Sequence, residues 1–147
     1  MSSLLIFLHV FAAILLVGTV CISTSAFPGQ VEKAAAGDAS AAGAAGVLNK
    51  ITTTYGYISA IVPVLGLAIF LTDLSTYKSQ VQFHIALLLA VIAWVILLVV
   101  IIPKQNKAMA AIATPDTADA AKLKKQLAMF SGIFNLLWVV CAVLMYI

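Results

Sequence analysis

The chain has 147 residues, 64% of them hydrophobic and 9% charged, with a mean hydropathy of +1.16; soluble domains carry about 25% charged residues. Its net charge of +3 comes from eight lysines and no arginine. That balance excludes an ordinary soluble domain, and without arginine or a basic patch interleaved with aromatics it also excludes a nucleic-acid-binding module. What remains is one small polytopic membrane domain spanning residues 1–147.

The first apolar run, Leu4 to Ile22, covers 19 residues. No lysine or arginine precedes it and it is too long for the apolar core of a signal peptide, so it is predicted as a retained transmembrane helix. Phe27-Pro28-Gly29 should end that helix, since a proline followed by a glycine breaks the hydrogen-bond ladder and turns the chain. From Gln30 to Lys50 the sequence is rich in alanine and glycine. Two readings stay open there: a mobile loop, or a helix starting after Asp38 with Asp38 as its cap.

Ile51 to Leu71 is the second predicted span. Tyr55 and Tyr57 suit a lipid–water interface, Pro63 should kink the helix, and Gly66 should permit a close approach one turn later. A short polar connection, Thr72 to Gln80, leads to the third span, Val81 to Ile102, in which no residue after His84 carries a full charge for 18 positions. At about 1.5 Å per residue this run makes a helix of roughly 33 Å, the thickness of a bilayer's hydrocarbon layer. Pro103 and KQNK should then leave the membrane. In TPDTADAAKLKKQLA, Thr114 is predicted as a cap, Pro115 as the first helical residue, and Asp116 and Asp119 as first-turn acids. Lys122, Lys124 and Lys125 follow, just before the fourth span, Leu127 to Ile147, and offer a contact surface for a partner or for anionic lipid headgroups.

The predicted fold is thus an all-α membrane protein, four transmembrane helices in an up-down bundle. Seven of the eight lysines fall in the segments 23–50 and 103–126. The positive-inside rule places those loops in the cytoplasm and both termini outside.

Polar groups inside the spans are the candidates for chemistry, because an ionisable side chain left unpaired in lipid is costly. His9 and His84 lie near the same end of their spans, within a weak repeat that pairs FLHVFAAILLVG with FHIALLLAVIAW. Three readings are open: axial ligands of a haem or a metal site, a quinone or proton-relay site, or imidazoles that merely meet water or a neighbouring carbonyl. Asn135, a turn after Ser131 and Gly132, is expected to make an interhelical hydrogen bond. Trp94 and Trp138 lie near mid-span, where they fill grooves or flank a cofactor. Gly18, Gly66 and Gly132, with Pro63, Trp94, Asn135 and Trp138, complete the predicted helix-packing set. Cys21 and Cys141 are expected to act as small hydrophobes. No acidic residue lies within a span, and no phosphate loop, CxxC, HExxH or Ser–His–Asp pattern occurs, so a non-enzymatic role is expected with no resident cofactor.

The stretch His9 to Gly18, a histidine followed by small and aliphatic residues and then glycine, resembles the opening of a loose group of four-helix bacterial membrane proteins. The group includes the HemJ-type protoporphyrinogen oxidases, the copper-resistance D-type proteins and an uncharacterised family of predicted integral membrane proteins. That resemblance implies a four-helix architecture and, for the oxidase type, haem b held by His9. Val17 stands where those oxidases have an aromatic residue, and SAFPGQ where they carry an arginine-bearing stretch. In size and character the chain also resembles small accessory subunits of actinobacterial respiratory supercomplexes. The combined expectation is a non-catalytic subunit of a bacterial plasma-membrane complex, with cytochrome or oxidase subunits as partners. The alternative is a haem-binding redox protein using His9 and His84.

Overall fold

At Pro28-Gly29, where the first helix was expected to stop, the chain carries straight on. The computed structural model describes residues 2–114 and 117–147. Four helices dominate it: α1 (Ser3–Ala35), α2 (Ala39–Thr72), α3 (Val81–Ile112) and α4 (Ala118–Tyr146), each long and apolar enough to cross a membrane. They run antiparallel in sequence order. A single helical turn, Leu74–Tyr77, capped by the Asp73 carboxylate, joins α2 to α3. Pro115 and Asp116 of the predicted α4 start lie outside the described residues.

The first reversal falls at Ala36-Gly37-Asp38 instead. Gly37 has φ +100°, a conformation that a Cβ disfavours. Its N–H donates to Ala34 O, and the N–H of Asp38 reaches back to Lys33 O at 3.1 Å, so two end carbonyls of α1 are satisfied. Asp38 then caps α2, its carboxylate accepting from the N–H groups of Ser40 and Ala41. Those bonds, that of Ala41 foremost, hold the Asp38 carboxyl below the usual aspartate range.

Each mid-chain proline leaves one carbonyl without its helical donor, and the structure answers each differently. Pro28 frees Thr24 O, which accepts from Ser131 Oγ of α4 at 2.8 Å in the buried interior. That bond keeps α1 intact through the proline. Pro63 frees Ser59 O, which accepts from Val62 N–H at 3.0 Å, and α2 is interrupted at Ser59-Ala60. Ala60 N–H turns to Tyr57 O, so Gly56 O is released and accepts instead from Ser59 Oγ (2.6 Å) and from Trp94 Nε1 of α3 (3.2 Å). Ahead of Pro103, α3 widens into a π turn over Leu97–Ile101, with Ile102 N–H donating to Leu97 O. The helix then runs through Pro103 to Ile112 rather than ending there. A second π turn, Ala13–Val17, lies in α1.

If Ser131 substitutes for the missing proline N–H, its loss should matter only while the proline is present. Ser131→Ala is expected to cost about 1 kcal/mol in the natural chain and close to nothing in a Pro28→Ala background, where the backbone N–H restored by the alanine can bond Thr24 O. Equilibrium unfolding in mixed micelles across the four-member cycle checks this; equal costs in both backgrounds would show that Ser131 acts otherwise.

The packed core occupies one half of the bundle. Val20, Phe27, Val31, Ala45, Leu97, Ile101, Leu127 and Phe134 belong to one buried cluster, which runs from the middle of the bundle, at Val20, Leu97 and Phe134, toward the end that carries the lysines. There α1 packs on both α2 and α4, and α3 on α4. Lys124 of α4 also pairs with Glu32 of α1 at 3.2 Å, a surface contact of small energetic weight.

Candidate functional site

Toward the opposite end, where both termini lie, the helices separate into two pairs. The first half of α1 packs on the second half of α2, and the first half of α3 packs on the second half of α4, while the two pairs meet only sparsely. Between them is an apolar cavity of about 620 Å³ lined by all four helices. Leu4, Phe7, Phe11 and Ile14 on the flank of α1 are exposed.

His9 lines that cavity, as do the phenol of Tyr77 and the thiol of Cys141. The Nδ1 of His9 lies 3.0 Å from Val62 O. A carbonyl only accepts, so Nδ1 carries a proton, and in the neutral ring Nε2 keeps its lone pair. The interruption ahead of Pro63 and the absence of a side chain at Gly66 make the niche for the ring. A Cβ on Gly66 would come within 3.2 Å of His9 Cε1. Gly66 therefore admits the imidazole of His9 from the neighbouring α1.

His84 does not join it. Its Nδ1 is 3.1 Å from the O of Gln80, the residue just before its own helix, its ring stands edge-on to Phe70 at 4.9 Å, and Phe70, not His84, lines the cavity. The two histidines of the weak repeat thus have different surroundings. A bis-histidine haem b does not fit these residues: the cavity offers one nitrogen with a lone pair and an apolar wall, but no second imidazole and no lysine among its lining residues to meet propionates. Among the described residues, no three of His, Cys, Asp and Glu gather where they could hold a metal ion. Cys21 and Cys141 are both free thiols, and Cys141 Sγ donates to Ala86 O.

Asn135 donates through Nδ2 to Ser25 Oγ of α1 at 2.6 Å. Its Oδ1 and the Nε1 of Trp138, one turn further along α4, are buried without a partner among the described residues. Trp138 packs edge-on against Phe134 and contributes to the cavity wall. Trp94 ties α3 to the interruption in α2, as described above. Among the described residues, a Cβ on Gly18 or on Gly132 would meet nothing within 4 Å. They make no close helix contact, contrary to the sequence reading.

No family model, curated protein or solved structure matches this chain.

Two features escaped the sequence reading. At Gly56, α2 and α3 approach closely, with Leu97 Cδ2 at 3.1 Å and Ile102 Cδ1 at 3.4 Å from the position of a Cβ. The flanking Tyr55 and Tyr57 had suggested an interfacial belt. The second is a buried polar chain: Ser23 Oγ to Thr52 Oγ1 (2.8 Å), Gln105 Nε2 to Thr52 Oγ1 (3.3 Å), and Asn49 Nδ2 to Gln105 Oε1 (3.3 Å). It links α1, α2 and α3 just inside the lysine end. The polar letters were visible, but Pro103 placed Gln105 in a connection.

Proposed function

We propose that this chain is a non-catalytic subunit of a larger membrane assembly, a respiratory electron-transfer complex of the bacterial plasma membrane. One observation carries the reading: half of the bundle is closely packed while the other half is left open at an apolar cavity flanked by the exposed face of α1. Lipid covers such a face no worse than protein does, so association between such helices depends on close fit and a few polar contacts. The cavity supplies the fit, and His9 Nε2 supplies an unused acceptor. The resemblance in size and character to small supercomplex subunits makes cytochrome or oxidase subunits the partners. The seven lysines orient the chain with segments 23–50 and 103–126 in the cytoplasm and both termini outside.

Purification in mild detergent is expected to recover cytochrome or oxidase subunits with a chain that is itself colourless. An Ile14→Trp substitution at the cavity wall should reduce that recovery several-fold while leaving the isolated chain folded. Recovery of no partner would overturn the proposal. The competing reading, a haem b protein, has the lone pair of His9 Nε2 in its favour; a Soret band in the isolated chain that disappears in His9→Ala would establish it instead.

A further inference from the structure

We infer that the lysine end carries a binding site for the phosphate of an anionic glycerophospholipid, in the groove between α3 and α4. That groove, about 580 Å³, is lined by Lys104 and Lys107 of α3, by Lys122 and Gln126 of α4, and by Thr114. Lys104 Nζ donates to Gln126 Oε1 at 2.8 Å across the groove. A neutral amide takes one of its three hydrogens and leaves two for a ligand.

Three ammonium groups around one concavity repel each other unless an anion joins them. The fold neutralises a neighbouring lysine, Lys124, with Glu32, but among the described residues neither Lys107 nor Lys122 has an ion-pair partner. Asp119 also lines the groove and is itself engaged, so one negative charge stands against three positive ones.

Depth along the helices selects a lipid as the source of the phosphate. The apolar run of α3 ends at Ile102, directly before Pro103-Lys104, and that of α4 begins at Leu127, directly after Gln126. In a bilayer the groove floor then sits at headgroup level, with apolar helix surface below it for acyl chains. Basic pockets between transmembrane helices are a recurrent headgroup site. A lysine ammonium binds phosphate as a point charge, so the recognition needs no arginine fork.

The test uses the full chain in nanodiscs of pure phosphatidylcholine, or with phosphatidylglycerol added, read by thermal unfolding and by native mass spectrometry of retained lipid. The natural chain should retain phosphatidylglycerol and unfold at a higher temperature in its presence. Replacing Lys104, Lys107 and Lys122 by glutamine should weaken retention on the order of 10- to 100-fold. The same replacement of Lys33, Lys50 and Lys125, which removes equal charge from the same end, should change it little. If the triple groove variant does not fold, Lys107→Gln and Lys122→Gln, both at exposed positions, are measured singly, each with an expected loss of about 5-fold. Equal losses in groove and control variants would overturn the site. So would no preference for phosphatidylglycerol, or stabilisation by inorganic phosphate alone as large as that by the lipid.

Discussion

Gly56→Leu is expected to destabilise the bundle by about 2–4 kcal/mol, enough to lose most of the folded protein in harsh detergent. A Cβ at this position already comes within 3.1 Å of Leu97 Cδ2 and 3.4 Å of Ile102 Cδ1. A full leucine cannot enter without driving α2 away from α3. That displacement also breaks the bond from Trp94 Nε1 to Gly56 O, which fills part of the hydrogen-bond gap at the interruption ahead of Pro63. Gly56→Ala should cost only about 1 kcal/mol, because the atoms it meets are ends of flexible side chains. Gly18→Leu and Gly132→Leu should leave stability within about 0.5 kcal/mol, since nothing among the described residues lies within 4 Å of either Cβ position. Reversible unfolding in mixed micelles, followed by tryptophan fluorescence, ranks the four variants. A Gly132→Leu variant as damaged as Gly56→Leu would contradict the packing.

These three glycines show why the architecture was legible in the sequence and the contacts were not. Four apolar runs of membrane length impose four helices, because buried backbone groups must find partners within their own segment. Which glycine meets another helix depends on rotation about each helix axis, and all three lie beside hydroxyl-bearing residues (Thr19, Tyr55 and Tyr57, Ser131), so their neighbours in sequence do not tell them apart. The turn at Pro28-Gly29 failed for a related reason. Local rules weigh the lost proline N–H correctly, but the donor that replaces it, Ser131 Oγ, lies 107 residues away along the chain. The real reversal had local signals, Gly37 for a positive φ and Asp38 for a cap, and only the cap was read. His9 and His84 share a sequence context yet diverge, because Val62 O and Gly66 face the first whereas Gln80 O and Phe70 face the second. The cavity itself has no sequence signature. It arises from the divergence of two helix pairs, each ordinary alone.

Gln105 offers the second large effect, and its cause can be divided by experiment. The side chain is fully buried, with Nε2 donating to Thr52 and Oε1 accepting from Asn49, while Asn49 also donates to Asn106 Oδ1 at 3.0 Å. Gln105→Ala removes both bonds and leaves a void among α1, α2 and α3, for an expected loss of about 2–4 kcal/mol. Gln105→Met keeps most of the volume and loses the bonds. Thr52 then still pairs with Ser23 at 2.8 Å, and Asn49 with Asn106, so no strong donor is stranded. Its expected cost is about 0.5–1.5 kcal/mol, in line with the modest worth of polar contacts between membrane helices. If methionine proved as damaging as alanine, the hydrogen bonds would be holding the three helices together. If methionine cost nothing while alanine remained severe, the polar chain would act through its volume alone, and its role would be to fix the rotation of α3 against α2 rather than to hold the two together.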